Sequence, residues 1–237
     1  MDQSLQEAGS QSGVSPRPLI RNFYGAPMSG EEIEAASLRI IDEEAPRHSF
    51  TPDQWQVVRR MIHTTADFSL MGVTRFSTDA IRAGIAALRY GRPLYVDSNM
   101  IRSGLSLPRL RSVSKDYSAA AIACHVADED VMEQARETGL PRSLHAVRKA
   151  RDMLDGSIAV FGNAPIALLE LNRLIEEEGI RPALVIGMPV GFVHVVESKQ
   201  ELMTIGVPFV TITGRRGGSP LAVSAVHALC ALAAGNE

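Results

Sequence analysis

The stretch "SIAVFGNAPIALLELNRLIEEEGIRPALVIG", residues 157–187, decides the fold. It opens with an apolar run of strand length, "SIAVFG", in which polar and apolar residues do not alternate. A turn containing glycine and proline follows. In "APIALLELNRLIEEEG" apolar residues then return at helical spacing until Gly179 ends the pattern. A second apolar run, "PALVIG", completes the unit. A strand with one wet face would carry a polar residue at every second position, so two uninterrupted apolar strands joined by a helix indicate a parallel pair covered on both faces.

The same grammar extends outward. "PLYVD" (93–97) and "AAIACHV" (120–126) lie upstream, and "VPFVTITG" (207–214) lies downstream. Between and after them run the helical patterns "DEDVMEQARETG", "RSLHAVRKARDMLDG", "ESKQELMTIG" and "SPLAVSAVHALCALAAG". Nearer the N-terminus, "SGEEIEAASLRIIDEEA" begins with Ser29 as a cap and acidic residues in its first turn. "TPDQWQVVRRMIHTTADF" has Thr51 as a cap and Pro52 at the first helical position, and "FSTDAIRAGIAALRYG" reads as a third helix ending at Gly91. The expectation is one α/β domain over residues 21–237, with a mostly parallel sheet and helices on both faces. Residues 1–20 lack periodicity and read as a flexible tail without the basic start and apolar run of a signal peptide.

Composition excludes several classes. Among 237 residues, 45% are hydrophobic and 22% charged, as in an ordinary globular protein, and a net charge of −3 argues against a general nucleic-acid binder. No apolar run approaches the roughly 18 residues that span a bilayer. Cys124 and Cys230 sit in apolar surroundings, without CxxC or HxxxH spacing, so a metal site has no support and a reducing, cytoplasmic setting fits. Of the 24 basic residues three are lysines (Lys115, Lys149, Lys199), leaving 21 arginines. Compositional bias accounts for such a skew, and so would a substrate with several carboxylates.

In an open parallel sheet ligands bind beyond the carboxyl ends of the strands. Those ends carry "YVDSNM" with Asp97, Ser98 and Asn99, "AVFGNAP" with Gly162, Asn163, Ala164 and Pro165, "VIGMPVGFV" with Gly187, Met188, Pro189 and Gly191, and "TITGRRGGSP". There is no GxxxxGK[ST] and no early GxGxxG, so nucleotide binding is weakly supported. His63, in "RRMIHTTADF", falls about a quarter-turn from the centre of the stripe Trp55, Val58, Ile62 and Ala66, on the border of the core. It reads either as a satisfied border residue or as a general acid/base. His194 is the second candidate. No nucleophile elbow is present.

Taken together, "IEAASLRII", "RMIHTTADF", "YVDSNMIRSGL", "GNAPIALLEL", "GMPVGFVHVVESKQEL" and "GVPFVTITGRRGGSPLAVSAVHAL" resemble the precorrin-8X methylmutase family of the cobalamin pathway, over about residues 30–233. The resemblance implies a Rossmann-like, three-layer, cytoplasmic homodimer that uses no cofactor or metal. It implies conversion of precorrin-8X to hydrogenobyrinate by a 1,5-sigmatropic shift of a methyl group from carbon 11 to carbon 12. The family's proton donor falls on His63, and its pocket residues fall on Ser37, Arg60 and Arg142. The strand-end residues Asp97 to Asn99, Gly162 to Pro165, Gly187 to Pro189 and Gly191 are expected to line the same pocket and to offer backbone amides. Two alternatives stay open: the same reaction on the cobalt-containing substrate, and a non-catalytic tetrapyrrole carrier. The tail has no counterpart in the family.

Overall fold

The computed structural model describes residues 18–235. Its first half comprises α1 (Ile20–Gly25), α2 (Gly30–Glu44), α3 (Pro52–Thr65), α4 (Leu70–Val73), β1 (Thr74–Phe76), α5 (Ala80–Arg89), β2 (Leu94–Val96), α6 (Asn99–Gly104) and α7 (Leu107–Arg111). Then follow β3 (Ile122–Ala123), α8 (Glu129–Thr138), α9 (Arg142–Lys149), α10 (Arg151–Leu154), β4 (Ile158–Phe161) and α11 (Pro165–Glu178). The chain ends with β5 (Leu184–Gly187), α12 (Val195–Leu202), β6 (Phe209–Ile212) and α13 (Ser219–Ala234).

The strands form one sheet in the order β1-β6-β5-β4-β2-β3. All neighbours are parallel except β1, which pairs antiparallel with β6, Thr74 opposite Ile212. Alternate strand residues feed two cores. Leu94, Val96, Ile158, Val160, Leu184, Ile186, Val210 and Ile212 meet buried side chains of α3, α5 and α13. Tyr95, Ala159, Phe161 and Val185 face the opposite way, onto α9, α11 and α12. Both faces are dry, which is why the strands read as unbroken apolar runs.

Local chemistry starts the helices where expected. Ser29 with Glu32, and Thr51 with Gln54, each form a reciprocal capping box, and Pro52 occupies the first turn of α3. Other boundaries differ from expectation. β1 replaces the start of the helix read from Phe76, because three residues are too few to show a period and their pairing partner lies far along the chain. The strand expected over 120–126 shrinks to Ile122–Ala123, preceded by a 3₁₀ turn at Ala119–Ala121. It is an edge strand, and alanines have little preference for a sheet. The helix read over "RSLHAVRKARDMLDG" breaks at Ala150 into α9 and α10. Most of the expected tail lies outside the described residues, but Ile20 already belongs to α1.

One close approach fixes how α13 meets the sheet. Gly162, after β4, lies so near the start of α13 that a Cβ there would stand 2.8 Å from Ser219 Cα. Gly162→Ala should therefore push backbone against backbone, costing about 1–3 kcal/mol. A denaturant midpoint equal to the parent's would refute the fit.

Candidate functional site at the carboxyl rim of the sheet

The strand order reverses between β2 and β4: successive strands proceed outward from β2 to β3, then return to β4 on its other side. That gap is where ligands of open α/β sheets bind. Here Asp97, 1% exposed, fills it. Its Oδ1 accepts from Gly162 N at 3.1 Å, and its Oδ2 accepts from Asn163 N at 2.8 Å and Ala164 N at 2.7 Å. Burial pushes its pKa up, against the opposing pull of the three amides. Next to it, Ser98 Oγ accepts from Ile101 N at the start of α6 and lies 3.1 Å from Ser219 Oγ of α13. The amides of Gly162, Asn163 and Ala164, expected to be offered to a ligand, are thus already taken by Asp97. Asn99 and Asn163 are exposed, while Ser98 and Ala164 are buried and Pro165 is half-buried.

The loops after β5 and β6 form a second layer of the rim. Gly187, Met188 and Pro189 are buried beneath it, Gly191 is half-buried, and Val190, Phe192 and Val193 are exposed. Met188 O accepts from Gly218 N at 2.9 Å, and Arg215 O accepts from Gly191 N at 3.2 Å. At Gly217 a Cβ would stand 2.2 Å from Met188 O, so only glycine permits this contact. Under the loops lies Lys199, 1% exposed. Its Nζ donates to Gly214 O at 3.0 Å and to Arg216 O at 2.5 Å, and burial lowers its pKa to about 8. Arg216 in turn bonds Asp67 and Ser69. Those residues follow the αL cap, Ala66, that ends α3. The last turn of α3, which carries His63, is therefore tied to the sheet's carboxyl rim.

His63 is exposed, further toward solvent than the border position expected, because the buried stripe of α3 is Val57, Val58, Met61 and Ile62. Arg60, one turn earlier, donates to Glu34 Oε1 at 2.8 Å, and Glu34 Oε2 also accepts from Arg109 at 3.1 Å. Both arginines line a cleft of about 250 Å³ between α2, α3, α7 and α13. That is below the range of ordinary ligand pockets. Beside it, His227 Nε2 accepts from Ser106 N at 3.0 Å, and burial with the nearby Arg60 and Arg109 lowers its pKa to about 4. Ser37 is half-buried and donates to Ile33 O within α2. Arg142 is exposed at the first residue of α9, in the layer on the other face of the sheet from α3. His194, the other histidine candidate, is exposed in an αL conformation at the start of α12.

Asp97, Ser98 and the loop Gly162–Pro165 are thus brought together, as are the loops after β5 and β6. Arg60 is engaged by an acid on its own chain, and no bond joins Arg142 to the rest. Sequence reasoning missed Lys199, Glu34 and the pairing of Arg216 with Asp67. Lys199 had left a signal: it lies on the inner stripe Val195, Ser198, Lys199, Leu202, and it is one of only three lysines. Among the described residues, no group of three or more His, Cys, Asp or Glu is placed to hold a metal, and no helix is long and apolar enough to cross a membrane.

A reversed parallel sheet and a rim of glycine loops, with an exposed imidazole tied to that rim, place the chain in the class of open α/β proteins, in which ligands bind beyond the carboxyl ends of the strands. The chain belongs to the precorrin-8X methylmutase family, whose model matches residues 32–232. It is 44% identical over 212 residues to a cobalt-precorrin-8 methylmutase of Leptospira interrogans, covering 86% of this chain and 94% of that protein. A precorrin-8X methylmutase of Pseudomonas aeruginosa is 37% identical over 84% of this chain and 94% of its own length. A crystal structure of a precorrin-8X methylmutase from Thermus thermophilus matches with a TM-score of 0.80 and 46% identity, over 87% of this chain and 97% of that one. The family is enzymatic, and its members are isomerases.

Two outcomes follow from the geometry. In Asp97→Asn an amide NH₂ faces at least one buried N–H, so stability should fall by about 1–3 kcal/mol in a denaturant melt. His227 has a folded pKa depressed from 6.5 to about 4, so its contribution is complete above pH 6.5 and is lost as pH falls toward 4. His227→Gln keeps an acceptor for Ser106 without a titrating proton. Its melting temperature should fall less than the parent's across that window, and parallel curves would contradict the assignment.

Proposed function

We propose that this protein isomerises precorrin-8X to hydrogenobyrinate by a 1,5-sigmatropic methyl shift from carbon 11 to carbon 12. His63 acts as proton donor, and no cofactor is required. The observation that carries the reading is the exposed imidazole in the last turn of α3, joined through Asp67, Ser69 and Arg216 to the glycine loops. Histidine can deliver a proton near neutrality. Donation to a ring nitrogen withdraws electron density from the conjugated system. The methyl group then leaves carbon 11 as its bond to carbon 12 forms, and the proton returns. Atoms balance without an oxidant, because substrate and product are isomers. What the protein supplies is geometry and one polarising charge.

The cobalt-containing substrate is the second reading, favoured by the names of relatives at 44% and 43% identity. The reading includes a cytoplasmic homodimer. Leu19, Ile20 and Tyr24 around α1, with Ile33 and Ile40 of α2, are exposed, and α1 buries none of its residues. Such apolar surface suits a second copy of the chain. Sedimentation should then give twice the monomer mass.

Incubation with precorrin-8X and with its cobalt form, followed by the visible spectrum, tests the activity. His63→Ala should lose about 10²–10⁴-fold in turnover while product affinity stays near the parent's. Parental turnover would remove His63 from the chemistry.

A further inference from the structure

Arg215 differs from Arg60 and Arg216 in having no acid beside it among the described residues, and from the equally unpaired Arg142 in having its backbone held at the strand-end rim. Its neighbour Arg216 is engaged by Asp67, and Arg60 by Glu34. The Arg215 guanidinium meets no carboxylate among the described residues; its carbon stands 5.5 Å from the centre of the Phe192 ring. Yet its backbone is held from three directions. Lys199 Nζ bonds the carbonyls on either side of it, those of Gly214 and Arg216, and its own carbonyl accepts from Gly191 N. Burying an ammonium costs free energy, and here it has backbone carbonyls rather than an acid for partners. That cost is borne to fix a turn whose central side chain has no anionic partner within the fold.

Phe192 is 82% exposed, with Val193 beside it at 70%. Across the rim, Met100 on α6 is 66% exposed. Phe192 and Val193, adjacent on one strand-end loop, leave apolar surface in water that an apolar ligand would cover. A guanidinium stacked on an exposed ring offers an apolar face and a two-pronged donor together.

We infer that Arg215, stacked on Phe192, is a binding subsite for one carboxylate arm of a flat, largely apolar ligand whose edge rests on the Phe192 ring. This rests on the function proposed above, which supplies a macrocycle with acid arms. Lys199 is the positioning residue that presents the subsite.

The test measures the dissociation constants of hydrogenobyrinate and of its methyl-esterified form, by spectral titration of the full chain. Arg215→Ala should weaken the acid form about tenfold, the scale of one charge-assisted hydrogen bond, and leave the ester unchanged. Arg215→Lys should recover part of the affinity, and Phe192→Ala should weaken acid and ester alike. Arg215 is exposed, so melting temperatures should match. Parental affinity for the acid in Arg215→Ala, or equal losses for acid and ester, would overturn the subsite alone. A parent that converts neither precursor would overturn the proposed function first, and the subsite with it.

Discussion

One carboxylate organises the rim. A parallel sheet that reverses its strand order leaves a gap beyond two adjacent strand ends, and the loop after β4 points its amides into that gap. An unpaired buried N–H is costly, so three of them need an acceptor close by. Asp97 supplies it from the end of β2, and Ser98 extends the junction to α6 and α13. Because the carboxylate is committed to holding β4 against β2, the ligand-facing part of the rim moves outward. The rim's exposed groups are the neighbouring Asn99, Met100 and Asn163 and the loops after β5 and β6, where the proposed ligand would rest.

The two loops depend on a different buried ion. Lys199 satisfies carbonyls rather than amides, and Gly217 lets the β6 loop lie against Met188. Through Arg216 the same turn reaches the segment that ends α3. A single chain of contacts thus runs from α12, under the loops, to the helix that carries His63. This layout suits the isomerisation proposed above, whose requirement is a fixed orientation rather than a nucleophile. It also separates two kinds of arginine. Those paired to acids, such as Arg60 with Glu34, brace helices, whereas Arg215 has its backbone fixed and its side chain open to solvent.

Much of this was written locally. Unbroken apolar runs of strand length, period-3.6 helix patterns, the caps Ser29 and Thr51, and the glycines at strand ends depend on a residue and its near neighbours, so they survive in the one-dimensional string. β1 did not, because three residues gain strand geometry only from pairing with β6. The partners of Asp97 did not either: they lie 65 to 67 positions away. Whether Asp97 touches a ligand or the backbone depends on which loop arrives beside it. For the same reason Arg60 could be assigned to a pocket by resemblance, while the acid that engages it, 26 residues earlier on α2, became visible only in the fold.

The sequence by itself determined the layered parallel architecture, the capped starts of α2 and α3, and the identity of the loops that gather at one end of the sheet. Tertiary structure alone decided which charges are paired within the fold and which stay open to solvent. Hydrophobic periodicity is a property of one element at a time, whereas the fate of a charge depends on which distant groups share its surroundings once water has been excluded.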